Sequence, residues 1–149
     1  VSQAVWALRR QHAKADTVKW SEVRIEPVQA STVADSISVD RPRDGLAAVR
    51  AVTESGGGAY TVTDEEILAA IPEIARLSGV FAEPAAACAW ACAKKMAAEK
   101  VFRPDERIVC LVTGNGLKDV AGARRAAGEP VAADPTLDSA EAALAKLMP

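Results

Sequence analysis

Two short stretches carry residue types that could do chemistry. The first runs Leu111-Val-Thr-Gly-Asn-Gly-Leu-Lys-Asp119, where an apolar run stops at the hydroxyl of Thr113 and then breaks on Gly114 and Gly116. A hydroxyl beside bare backbone at a strand end suits a phosphate cradle, a polar contact to a flat cofactor ring, or a plain tight turn. The spacing matches neither the Walker lysine pattern nor the dinucleotide fingerprint, which weakens the phosphate cradle. The second stretch is Val80-Phe-Ala-Glu-Pro84, where a short apolar run ends on the carboxylate of Glu83. In open α/β sheets ligands bind outside the carboxyl ends of strands. If the two runs are neighbouring strands, Glu83 and Thr113 face one crevice. On spacing alone Glu83 reads more simply as a hydrogen-bonded strand end or as an acid at a helix N-terminus, since strand ends in such folds are often polar without chemistry.

Other chemistries find less support. The only histidine is His12, so there is no Ser-His-Asp set. The cysteines are Cys88, Cys92 and Cys110. Cys88 and Cys92 stand four apart on one helix face, but tetrahedral zinc wants four donors, so they read as small buried residues. Cys110 lies inside an apolar run, where a thiol is usually inert. Three cysteines, an odd count, and no visible secretory leader suggest a reducing, cytoplasmic setting.

The elements that must position these residues alternate along the chain. Val5, Leu8, His12, Ala15 and Val18 predict an amphipathic helix over 3–18. Ile25–Gln29 predicts a short extended segment that Pro27 keeps from the middle of a sheet. Leu46, Val49 and Thr53 share a helix face, with Asp44 as cap and Ser55–Gly58 as stop. Ala59–Val62 follows as a strand. Thr63-Asp-Glu-Glu66 predicts a capping box opening a helix whose buried face is Ile67, Leu68, Ile71, Ile74 and Leu77. Ser78-Gly79 closes it. Val80–Ala82 is a third strand, Pro84 suits the first turn of a helix over 85–99, and Ile108–Val112 is a strand buried on both faces. A last helix is expected over 138–148, capped by Asp138-Ser-Ala-Glu141. This alternation predicts an α/β fold, three-layer αβα with a mostly parallel sheet. Residues 1–120 would form the domain, and 121–149 a C-terminal loop and helix.

Bulk properties fit one globular domain. The chain has 149 residues, 50% hydrophobic and only 4% aromatic, with many alanines that favour close helix packing. A net charge of −2 excludes the basic footprint of a nucleic-acid binder. The locally basic segment Val1–Arg24 reads as a solvated helix face. No stretch is apolar enough to span a bilayer.

Taken in order, several segments resemble the C-terminal part of threonine synthases, in the fold-type II family of pyridoxal-phosphate (PLP) enzymes. They are Thr32-Val-Ala-Asp-Ser-Ile37, Arg50-Ala-Val-Thr-Glu-Ser-Gly-Gly57, Val62-Thr-Asp-Glu-Glu-Ile67, Gly79-Val-Phe-Ala-Glu-Pro-Ala85 and Leu111–Asp119. The resemblance implies a large-domain α/β fold and PLP as cofactor of the complete enzyme. It also implies that Thr113 meets the pyridine nitrogen, with Gly114 beside the ring and Glu83 near the cofactor. Asp35 would stand at the crevice mouth. None of the seven lysines stands in the family's Schiff-base motif, and the glycine-rich phosphate loop has no counterpart here. The chain alone should therefore lack activity and bind no PLP. Its partners would be the N-terminal half of such an enzyme or a second copy paired through an exposed edge. Two other readings stand beside this one: a free-standing non-catalytic interaction module, and part of a threonine or serine dehydratase-like lyase. Dehydratases usually close on a serine-glycine motif rather than on Thr113-Gly114.

Overall fold

The computed structural model describes residues 15–147 together with Ala7. The helix expected over 3–18, with His12, lies almost wholly outside the described residues; its end, Ala15–Thr17, is a single 3-10 turn. Five helices follow: α1 (Gly45–Glu54), α2 (Asp64–Ser78), α3 (Pro84–Ala98), α4 (Val120–Ala127) and α5 (Leu137–Leu147).

The pair α2 and α3 carries the core because its ends and faces are written locally. Thr63 Oγ1 accepts the Glu66 amide at 3.2 Å, and Glu66 Oε2 accepts the Thr63 amide at 2.7 Å, so the capping box is complete. Gly79 ends α2 at φ +72°, a left-handed position that a β-carbon disfavours. Pro84 opens α3 in its first turn, where its missing amide is no loss. Ile67, Ala70, Ile71 and Ile74 of α2 are buried against Ala86, Ala87 and Ala91 of α3, with Ala34 and Ala82 closing the cluster. The alanines let the two helices approach, and the isoleucines fill the space between them. Leu77, expected on that face, is exposed.

A polar tie spans the same pair. Glu73 Oε2 accepts from Lys94 Nζ at 2.6 Å and from Trp90 Nε1 at 3.0 Å. These bonds, Lys94 first, hold the Glu73 carboxyl below the ordinary glutamate range. The tie is therefore present above that range and fades as pH falls through the lowered value. On the other side of α2, Asp64 accepts from the Thr32 hydroxyl at 2.6 Å and the Val33 amide at 3.1 Å, which fastens the segment before α1 to the start of α2.

The expected three-layer αβα arrangement with a parallel sheet is not formed. Among the described residues there are helices and turns, and the sole β-type pairing is one isolated antiparallel bridge, Ala82 with Asn115. The segments 25–29, 59–62 and 108–112 are extended without strand partners. The reason is that a strand is a property of a pair: its amides and carbonyls need a neighbour, and no run among the described residues pairs with Ile108–Val112. The run meant to be buried on both faces is open, with Val109 81% and Leu111 71% exposed.

Smaller differences have similarly local causes. Asp44 stands at the N-cap of α1, but its side chain makes no cap bond. At the start of α5 the hydroxyl of Thr136 accepts the Ser139 amide at 3.3 Å, and Asp138 lies inside the helix. The helix α4 was not anticipated. Asp119 caps it by accepting the Gly122 amide at 2.8 Å, and it packs against α2.

Candidate functional site

The five residues between α2 and α3 bring the two chemical stretches together. Gly116 donates its amide to the Phe81 carbonyl at 2.9 Å, and Glu83 donates its amide to the Gly114 carbonyl at 3.0 Å. These two bonds flank the Ala82–Asn115 bridge and form a short clasp. The clasp needs glycine on one side. A β-carbon at 114 would overlap the Glu83 carboxylate, and one at 116 would overlap the Phe81 ring. Past the clasp, the Asn115 side chain accepts the Leu117 amide at 2.9 Å and starts a 3-10 turn, Gly116–Lys118. That turn sends Lys118 back toward Glu83.

Glu83 is the one buried charged residue among those described, 5% exposed. It occupies the N-cap of α3 without making a side-chain cap bond. Its carboxylate instead accepts from Ser36 Oγ at 3.2 Å (Oε2) and pairs with Lys118 Nζ at 3.3 Å (Oε1) and 3.1 Å (Oε2). Burying a carboxylate is costly unless it is paired and hydrogen-bonded, and here both oxygens are engaged. Lys118 keeps much of its own side chain in solvent, so the pair is only half withdrawn from water. A hollow of about 310 Å³ opens over this group, lined by Asp35, Ser36, Glu83, Pro84, Lys118 and Asp119, among others. Asp35 itself is exposed, on the 3-10 turn Asp35–Ile37.

Thr113 lies next to the clasp and is exposed. Among the described residues its hydroxyl has no hydrogen-bond partner, so it is available to a polar atom from outside. The structure brings Glu83 and Gly114, both singled out in the sequence, into direct contact, with Thr113 adjoining; Ser36 and Lys118, which join them, carry no role in the sequence alone. The signal for Lys118 was present: a lone cation closing the Thr113–Asp119 stretch, with a buried acid needing one.

The donor set fits part of a PLP site. A free hydroxyl suits a pyridine nitrogen, and the clasp gives the adjoining backbone a fixed course. Around this hollow, among the described residues, the one lysine is Lys118, which pairs with Glu83. No group of three or more metal-ligating side chains occurs among the described residues. None of their helices is long and apolar enough to cross a membrane.

Comparison with known proteins agrees with the motifs. The family model described as pyridoxal-phosphate dependent enzyme matches residues 5–114. The chain is 46% identical over 100 residues to a threonine synthase of Methanocaldococcus jannaschii, covering 67% of this chain and 25% of that protein. It is 41% identical over 113 residues to a threonine synthase of Methanosarcina acetivorans, covering 76% of this chain and 28% of that one. A threonine synthase of Halalkalibacterium halodurans is 43% identical over 91 residues, 61% of this chain and 26% of the relative. The chain thus spans about a quarter of the length of the curated relatives it matches.

Proposed function

Because the chain belongs to the pyridoxal-phosphate-dependent enzymes, we propose that it supplies the ring-nitrogen wall of a threonine synthase. That enzyme converts O-phosphohomoserine and water to threonine and phosphate. Thr113 is the residue assigned to the pyridine nitrogen, Gly114 passes beside the ring, and Glu83 stands near the cofactor. Bound PLP supplies an electron sink for elimination and replacement at the substrate side chain. A hydroxyl at the ring nitrogen is a neutral partner and leaves that nitrogen unprotonated. Ser36 and Lys118 hold the Glu83 carboxylate, and through the Glu83–Gly114 hydrogen bond they fix the course of the backbone that presents Thr113.

The observation that carries this reading is the clasp. The Glu83-Pro84-Ala85 and Thr113–Asp119 segments, both shared with threonine synthases by resemblance, meet there around one buried carboxylate. The remainder of such an enzyme, or a second copy of this chain, is the partner proposed for the exposed run Ile108–Val112. The division into 1–120 and a C-terminal 121–149 goes with this reading, although α4 docks on α2 while α5 buries no side chain fully. Three free thiols accord with a cytoplasmic setting.

The test is reassembly. The chain is co-expressed with the portion of the Methanocaldococcus jannaschii threonine synthase that precedes its matched region. The expected result is cofactor absorbance and phosphate release from O-phosphohomoserine, with Thr113→Val shifting the absorbance and cutting turnover at least tenfold. A folded complex with neither absorbance nor phosphate release rejects the reading and leaves the interaction module in its place.

A further inference from the structure

Two apolar surfaces stay open once the α2–α3 core has formed. The first is a face of α5. Leu137, Ala140, Leu144 and Leu147 recur at intervals of three, four and three, which sets them in one stripe along the helix. The three leucines are 74%, 56% and 62% exposed, and no residue of α5 is buried. Glu141 stands at the edge of the stripe. The start of α5 is held locally, since Thr136 Oγ1 accepts the Ser139 amide and Ser139 Oγ accepts the Asp134 amide. Its length of 11 residues, however, makes a marginal helix in water without a surface to pack on. The second surface is a groove of about 270 Å³ beside α4. Helix α4 buries Gly122 and packs Ala126 on the core, which leaves Val120, Ala123, Arg124 and Ala127 on its other side. Phe81 and Leu117 join them in the lining, and Arg124 is the one charged residue there. Among the described residues neither Arg124 nor Glu141 forms a salt bridge.

We propose that the groove beside α4 is an interaction surface whose occupant is α5 of a second copy of this chain, exchanged reciprocally across a two-fold axis. The shapes match, because an apolar helix stripe seats in an apolar groove. The charges match as well: the stripe brings Glu141 at its edge, and the groove offers Arg124. One chain carries both halves, yet no residue of α5 lines the groove of its own chain. A two-fold pair makes the contact twice and leaves neither surface uncovered. Residues 129–136 are all exposed, so they carry α5 across to a neighbour without opening the core. The contact does not use Thr113, Glu83 or the run Ile108–Val112, and it does not rest on the cofactor reading.

The size of the two surfaces sets the strength of the pair. A helix of this length runs about 16 Å. Two such contacts fall at the small end of specific interfaces, below about 1,200 Å². The pair is therefore weak and concentration-dependent, with a Kd of about 10–100 μM.

Sedimentation equilibrium of the whole chain, from about 5 to about 500 μM, tests this. The apparent mass should rise from one chain to nearly two. Leu144→Lys on the stripe and Val120→Lys in the groove change positions exposed in the single chain. Each should hold the mass at one chain, with circular dichroism at low concentration unchanged. Glu141→Arg and Arg124→Glu should each weaken pairing about threefold to tenfold, and the double variant should recover most of the loss. Val109→Lys should leave pairing within about twofold. A chain that stays single throughout overturns the proposal, including one in which α5 folds onto its own groove. A dimer that survives both lysine variants, one that Val109→Lys alone disperses, or a double charge variant no better than the worse single one overturns it too.

Discussion

The α2–α3 pair and the run Ile108–Val112 are both rich in apolar residues, yet one is packed and the other is largely open. In the pair, every requirement is met within a few residues. A capping box starts α2, a left-handed glycine stops it, and Pro84 starts α3. The isoleucines then meet alanines across a five-residue connection. In the stretch 101–119, Ile108–Val112 has equal or greater hydrophobicity but no internal way to satisfy its backbone. A helix carries its hydrogen bonds with it, whereas a strand borrows them from a neighbour. Apolar content therefore predicts burial only when the backbone has partners too.

Substitutions in the two regions should differ accordingly. The largest effect is expected from Ile71→Ala, which removes a buried side chain from the centre of the pair. It should cost about 2–5 kcal/mol, read as a lower denaturation midpoint with little change in slope. If the loss were below about 1 kcal/mol, the pair would not be the core. Thr63→Ala comes next. It removes one capping bond and should cost about 1 kcal/mol, with Thr63→Ser restoring most of it. The smallest effect is expected from Val109→Lys, at a position 81% exposed. Surface changes of this kind stay within about 0.5 kcal/mol. A loss as large as that of Ile71→Ala would erase the contrast between the regions.

What could be read from the sequence follows the same division. Both ends of α2, the start of α3 and the approximate span of α5 were legible because caps, glycines and prolines act on their own neighbours. The meeting of Glu83 with Thr113–Gly116 was legible only as a conditional, resting on whether two polar strand ends adjoin. They do adjoin, through one bridge rather than through a sheet. The sheet itself was misread because a run such as Ile108–Val112 signals a strand without naming its partner. Helix α4 was missed for the opposite reason. It is only eight residues long and its apolar face is mostly alanine, although Asp119 at its start, Arg124 and Arg125 in its last turn and Gly128 beyond it were all standard boundary signals. Lys118 went unassigned because a surface lysine acquires meaning only once the buried acid beneath it is known.

The clasp at Glu83 and Gly114 also ties off a ring of chain that contains all of α3. Closing a loop of that length costs about 3 kcal/mol in entropy, and two backbone hydrogen bonds return about 1 kcal/mol each. The bonds alone leave the ring open. What shuts it is the burial of Ala82 and Glu83, so the clasp and the docking of α3 on α2 depend on each other. A substitution that loosens the helical pair should therefore also loosen the backbone that carries the hydroxyl of Thr113.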